Sequence, residues 1–158
     1  MKASFLYASL FVTLLICSDC KKKDAEPEGS AEPSPTEASG SLTVSGITQT
    51  LSAESIVYPD HYLVKGMAAS GVYNELNATF YNGKPTKDTL VTLSPLHAQP
   101  TLNIYQEGNS YSYSAISGQV KIKVIGSTVS LSFTDAVFMR VNDSGDQITA
   151  SGTLVVLD

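Results

Sequence analysis

The sequence contains no tryptophan, only two cysteines and few charged residues for its length of 158. Charged side chains make up 16% of the chain, against roughly 25% in an ordinary soluble domain, which argues against a long salt-bridged helix or a coiled coil. Lysine and arginine number 10 and aspartate and glutamate 15, so the net charge is -5. Such an acidic chain offers no basic surface for phosphate groups, which excludes nucleic acid as a partner.

Sequence motifs of enzymes are absent as well. The chain has no His-Glu-x-x-His, no Gly-x-Ser-x-Gly and no glycine loop of the phosphate-binding type. Its two histidines, His61 and His97, stand far apart. We therefore expect a protein that is not an enzyme and that uses no cofactor. The alternative is a small hydrolase in which His61 or His97 works with distant carboxylates.

The first 20 residues have the features of a targeting segment. Lys2 supplies one positive charge, and residues 3–17 are apolar apart from a few serine and threonine residues. This run is shorter than the about 20 residues that a membrane-spanning helix needs, and it has the length of the apolar region of a signal peptide. Because Cys17 and Cys20 both lie here, the rest of the chain has no disulfide, thiolate nucleophile or cysteine-ligated metal.

The apolar run ends in Cys17-Ser18-Asp19-Cys20 and is followed by three lysines, which resembles the signal peptide of a bacterial lipoprotein. In that family the chain is cut before a cysteine that is acylated and becomes the mature N-terminus. The resemblance implies that residues 1–19 are the signal peptide and that Cys20 carries the lipid, palmitate included. It also implies an anchor in the bacterial cell envelope, at the outer membrane or the cell surface. Cys17 is the other candidate for the processed cysteine, and secretion with release is the alternative to anchoring.

Residues 20–41 are predicted to form a tether between this anchor and a domain. They are rich in proline, glutamate and serine and contain no aromatic residue and no aliphatic one larger than alanine. Nothing in the segment can be buried to offset the entropy of ordering it, so we expect disorder. A linker of this kind would hold a domain clear of a lipid surface.

Residues 42–158 differ sharply, because apolar residues recur at every second position between turn signals. The clearest unit is a hairpin of residues 120–124 and 129–133 around Gly126-Ser127. Asp135-Ala136 then interrupts the alternation and predicts a bulge. A polar turn at 142–146 precedes a last strand at 148–156.

The remaining candidate strands share this alternation. They lie at residues 42–47, 55–58, 62–68, 76–81, 89–93, 101–107, 110–115 and 137–141. The pattern predicts an all-β domain of about eight to ten short antiparallel strands, arranged as a β-sandwich or a β-barrel. The sequence leaves the choice between the two open.

Tyrosine is the most suggestive residue for binding. All eight tyrosines except Tyr7 lie in the predicted domain, and Tyr105, Tyr111 and Tyr113 surround the predicted turn at Gly108-Asn109. Tyrosine combines a flat apolar face with a polar tip, which suits stacking on sugars or lining a groove. We predict that these three tyrosines form a ligand-binding surface; the alternative is that they fill half-buried strand positions.

A calcium site is a further alternative. Asn142, Asp143 and Asp146, with Asp135 nearby in sequence, place several oxygen ligands around one loop, and hard cations prefer such oxygens. The spacing matches no EF-hand loop, and residues of these types are also the ordinary choice for turns. We therefore predict no metal site.

Together these features predict a membrane-anchored envelope lipoprotein whose β domain binds an extracellular glycan or protein. One alternative is a structural or adhesive surface subunit that pairs through an edge strand. A carrier of lipid or another small molecule is the alternative that a closed barrel with an apolar interior would favour.

Overall fold

The computed structural model of the protein describes residues 37–95, 99–108 and 111–157. Every regular element in these residues is a β-strand. In chain order the strands are β1 (Ser39–Val44), β2 (Ile47–Val57), β3 (Tyr62–Met67), β4 (Tyr73–Phe80), β5 (Thr89–Thr92), β6 (Thr101–Gln106), β7 (Ser112–Ser117), β8 (Gln119–Ile125), β9 (Thr128–Arg140) and β10 (Asp143–Val156). The predicted signal peptide, Cys17, Cys20, residues 20–36 of the predicted tether and His97 lie outside the described residues.

Eight of these strands close into an antiparallel β-barrel. Around the ring they follow the order β1-β2-β3-β4-β6-β7-β9-β10, and β10 pairs with β1 to close it. Strands that are neighbours in the barrel are therefore also consecutive in the chain, except that β5 and β8 lie outside the barrel. The prediction of an all-β antiparallel domain is confirmed, and of the two predicted forms the chain adopts the barrel.

The two remaining strands extend the sheet beyond the ring. β9 has 13 residues, and it pairs with β8 over its first part and with β7 over its last part. β5 pairs with the other side of β8. The predicted hairpin around Gly126-Ser127 is the β8–β9 pair, in which Ile125 lies opposite Thr128.

The predicted bulge is also present, and it separates the two parts of β9. The β9–β10 register shifts between the pairs Ala136–Ala150 and Phe133–Gly152, and Asp135 within this step has φ +49°. A bulge bends its strand and increases its twist. The bend lets one strand leave β8 and join β7 while it stays paired with β10.

Apolar residues of alternating strand positions fill the middle of the barrel. Phe133 and Phe138 are buried, with ring centroids 5.8 Å apart. A Cβ atom on Gly66 would collide with the side chains of Leu154 and Leu51, so the absence of a side chain there makes room for both leucines. The interior at this level is therefore packed and solid.

The structure corrects three predicted boundaries. β1 begins at Ser39, inside the predicted tether of residues 20–41, because Ser39 to Ser41 pair with both β10 and β2. The candidate strand at 42–47 is confirmed for Leu42 to Val44, which belong to β1, and is wrong beyond them, since it runs across a turn at Ser45-Gly46 where both residues have positive φ. The second half of that hairpin is β2, which is far longer than the predicted strand at 55–58.

Candidate functional site

Four turns meet at one end of the barrel, which we call the mouth. They join β1 to β2, β3 to β4, β6 to β7 and β9 to β10. Neighbouring antiparallel strands run in opposite directions, so every second connection lies at the same end. β1 begins at the opposite end, which we call the base.

An apolar cavity of about 300 Å³ lies at the mouth. Leu42 and Val44 of β1 are buried and belong to the barrel core, whereas Ile47 and Val72 at the rim are 70% and 59% exposed. The residues lining the cavity are Leu42, Val44, Ser45, Ile47, Gln49, Gly71, Val72 and Tyr73. The volume is about twice that of an apolar cavity of about 150 Å³ that takes up benzene, so it suits a ligand of one or two rings or a short acyl chain.

Gln49 brings an amide group into this mostly apolar lining. Its Oε1 atom is buried and has no hydrogen-bond partner among the described residues. A buried acceptor without a partner costs about 1 to 3 kcal/mol. Gln49 therefore lowers the folding stability and places an unpaired hydrogen-bond acceptor in the cavity wall.

The loop from β3 to β4 lies directly against the Gln49 amide. Gly71 in this loop has φ +122°, and a Cβ atom at that position would collide with Gln49 Nε2. Two main-chain bonds hold the loop, since Ala68 N–H donates to the Asn74 carbonyl and Glu107 N–H donates to the Val72 carbonyl, each at 2.8 Å. Glycine is required at this position by both its backbone angle and its close approach.

A chain of polar and aromatic contacts runs from the cavity wall to the surface. Tyr73 meets Tyr113 edge to face at a centroid distance of 5.9 Å. The Tyr113 hydroxyl donates to Asp146 Oδ2 at 2.9 Å, and Arg140 Nη1 donates to the same oxygen at 3.3 Å. The guanidinium of Arg140 in turn lies 3.4 Å from the ring centroid of Tyr111, which is a cation–π contact.

These contacts change the pKa of the Tyr113 hydroxyl. Burial, and after it the hydrogen bond to the Asp146 carboxylate, raises the pKa of Tyr113 to about 12. Both causes favour the neutral phenol, because a phenolate would lose hydration and would face a negative charge. The Tyr113 hydroxyl therefore keeps its proton and acts as a hydrogen-bond donor that links β7 to β10 at the mouth.

The structure does not place Tyr105, Tyr111 and Tyr113 on one surface. Tyr113 is 4% exposed and belongs to the core, Tyr111 is 46% exposed at the mouth, and Tyr105 is half-buried. In β6 the inward positions are Leu102 and Ile104, so Tyr105 faces outward. Tyr113 therefore cannot belong to an exposed surface with Tyr111, because β7 turns that position into the barrel.

The other candidate residues are also dispersed. His61 contacts its neighbour Asp60, with Nδ1 to Oδ1 at 2.7 Å. Asp135 interacts with Ser151, whereas Asp146 belongs to the mouth contacts described above. Within residues 37–95, 99–108 and 111–157, no three His, Cys, Asp or Glu side chains cluster closely enough to hold a metal ion.

Sequence reasoning missed the cavity because it missed the first hairpin. Ile47 and Gln49 face inward on β2 only because the chain reverses at Ser45-Gly46. Serine followed by glycine is a recognised turn signal, and it was the one available clue. The contribution of Gly71 and Val72 depends on how a distant loop folds over β2, for which the sequence carries no local signal.

Comparisons with protein-family models, with curated proteins and with solved structures found no match to this chain. In the part of the chain that the structure describes, no helix has the length and apolarity required to cross a membrane. What the fold and the site define is a small antiparallel β-barrel with an apolar cavity at one end.

Proposed function

We propose that the protein is a non-enzymatic carrier that binds a small, mostly apolar molecule at the mouth of its barrel. The observation that supports this most strongly is the apolar cavity of about 300 Å³ above an otherwise packed core. A barrel of eight strands can either fill its interior or hold one small ligand, and here the middle is filled while the end is open. This favours the carrier over the glycan-binding or protein-binding surface that the tyrosines suggested.

Titration with naphthalene, which is neutral and apolar, tests the proposal. We expect it to shift the amide resonances of Leu42, Val44 and Val72 and to raise the melting temperature, because a ligand that binds only the folded state stabilises it. Val44→Phe should weaken binding by about tenfold or more, since the added ring occupies the cavity. Val57→Phe is the matched control, because Val57 is 79% exposed at the base. Unchanged binding in Val44→Phe, or shifts confined to other residues, would contradict the proposal.

The proposed location is the bacterial cell envelope, with a lipid on Cys20 as the anchor. The support is the sequence of the first 41 residues. Labelled fatty acid should be incorporated into the wild type and Cys17→Ser and not into Cys20→Ser. Label lost only in Cys17→Ser would reassign the cysteine, and no label in the wild type would remove the anchor.

Edge pairing is a second candidate function, favoured by the position of β5. Among the described residues this strand pairs with β8 alone, and its Leu90 is 61% exposed. An exposed edge can add a strand from another chain. Sedimentation should then show self-association in the wild type and a monomer in Leu90→Pro. The bond from Leu93 N–H to the Gly118 carbonyl means that Val91 N–H points to β8 and that Leu90 N–H points to the open edge, where proline removes a main-chain donor. A wild type that is monomeric at high concentration would argue against it.

A further inference from the structure

The amide group of Gln49 is the feature of the mouth cavity that a purely apolar ligand leaves unused. Gln49 lies on β2 and lines the cavity. Its side-chain oxygen Oε1 is buried and has no hydrogen-bond partner in the part of the chain that the structure describes. Because an unpaired buried acceptor is costly, most such atoms in folded proteins have a partner. This oxygen therefore requires a donor that the described residues do not supply.

Asn77 Oδ1 is the other buried side-chain atom without a partner among the described residues, and its setting differs. Asn77 is not one of the residues that line the mouth cavity. Its Nδ2 donates to Glu75 Oε1 at 2.9 Å, so its amide is fixed from one side. Gln49 instead borders a space of about 300 Å³. Of these two oxygens, the one on Gln49 belongs to a residue that a ligand in the mouth cavity would contact.

The position of Gly71 keeps the Gln49 amide beside the cavity. A Cβ atom on Gly71 would collide with Gln49 Nε2 and would lie 3.1 Å from Oε1, so the amide fills the space of the missing side chain. Both residues line the cavity. The terminal torsion of a glutamine side chain is broad and roughly two-fold. Rotation about it exchanges Oε1 and Nε2 without moving the backbone, so the amide can turn its oxygen to a ligand.

We propose, on the basis of the carrier function proposed above, that the ligand of the mouth cavity is a mostly apolar molecule with one hydroxyl group, which donates to Gln49 Oε1. A hydroxyl group both donates and accepts, so it pairs with the amide in either orientation. A carbonyl or ether oxygen only accepts and leaves Oε1 unpaired. A charged group does not fit, because none of the residues that line the cavity is charged and an unpaired buried charge is costly.

Three probes with the same ring system test the hydroxyl requirement. 2-Naphthol donates and accepts hydrogen bonds, 2-methoxynaphthalene only accepts, and naphthalene does neither. In calorimetry on the full-length protein, 2-naphthol should bind about tenfold more tightly than 2-methoxynaphthalene, which is the contribution of about one hydrogen bond. It should also shift the side-chain amide resonances of Gln49 further than naphthalene does. Both comparisons use the wild type and do not depend on the folding of a variant.

The variant Gln49→Met separates the amide from the apolar lining, because methionine has a similar length and no amide. The preference for 2-naphthol over naphthalene should fall by about tenfold, while naphthalene should still bind. The melting temperature should rise, since a buried unpaired acceptor is removed. Gln147→Met is the matched control, because Gln147 is exposed on β10 and does not line the cavity, and it should keep the wild-type preference.

The outcomes distinguish failure of this inference from failure of the carrier function. Equal binding of the three probes, or an undiminished preference for 2-naphthol in Gln49→Met, would overturn the hydroxyl requirement and leave the carrier function standing. A lower melting temperature of Gln49→Met would mean that Oε1 is paired, which would also overturn the requirement. If none of the three probes binds at the mouth at millimolar concentration, both proposals are wrong.

Discussion

The mouth and the base of the barrel are built from the same strands and differ in almost every property of their linings. β4 contributes Tyr73 to the apolar mouth cavity at its start, and it ends with Phe80 at a cleft of about 270 Å³ at the base. The mouth cavity is lined by no charged residue, whereas Lys84 and Lys87 line the cleft.

The difference between the two ends shows which part of a small barrel can vary and so can determine ligand specificity. Between the ends, inward positions must be apolar and well packed, and the collision that any side chain on Gly66 would meet shows how little space remains. Only the ends, where turns replace paired strands, can differ without disturbing the core. Loops on a rigid scaffold commonly carry function for this reason.

The largest expected effect compares a packed position with one that borders the mouth cavity. Phe133→Ala should lower the free energy of unfolding by about 3 to 5 kcal/mol, because it leaves a void beside Phe138. Val44→Ala should cost only about 1 to 2 kcal/mol, since it removes less surface and enlarges a cavity that already exists. Urea denaturation measures both. Equal losses, or a loss below about 1 kcal/mol for Phe133→Ala, would mean that the interior is not packed as described.

The next effect concerns the hydrogen bond that ties the mouth together. Tyr113→Phe should cost about 1 kcal/mol at neutral pH, because Asp146 loses a donor. The pKa of Tyr113 rises from 10.0 to about 12 on folding, so its contribution is complete below about pH 10 and is lost as the pH rises towards 12. The stability difference between wild type and variant should therefore shrink over that interval. A difference that stays constant with pH would contradict the shifted pKa.

The smallest effect is the dependence of naphthalene binding on salt. Raising the ionic strength from about 0.01 to about 0.15 M shortens the Debye length from about 30 to about 8 Å. Because no charged residue lines the mouth cavity, naphthalene binding there should change by less than about twofold. Calorimetry at both salt concentrations measures this. A severalfold change would mean that the ligand binds at a charged surface and not in the cavity.

Much of the fold was predictable because the signals are local. The β8–β9 hairpin follows from strict alternation around Gly126-Ser127, and the bulge follows from the break in alternation at Asp135. Period-two alternation assigns residues to one face of a strand, so the burial of Phe133 followed directly. The start at Ser39 was missed because Ser39, Gly40 and Ser41 have no apolar pattern of their own and are strand residues only through pairing on both sides.

The candidate site was less predictable. Tyr111 and Tyr113 are two residues apart, which predicts a shared face only if both belong to one strand, and β7 begins at Ser112. Which tyrosines are exposed depends on which positions point into the barrel. The exposed tyrosines that lie close together are instead Tyr58 and Tyr81, which flank His61 at the base and come from different hairpins.

The sequence by itself determined an all-β domain, its hairpins and the inner face of its clearest strands, because alternation and turn chemistry act over a few residues. Only the tertiary structure decided between barrel and sandwich, since closure depends on the pairing of β1 with β10, the first and last strands. It also brought the residues at each end of the barrel together. Gln49 and Gly71 at the mouth, and Tyr81 and Gln99 at the base, become neighbours when separate turns meet at one end of a closed ring, and no local pattern encodes that distance.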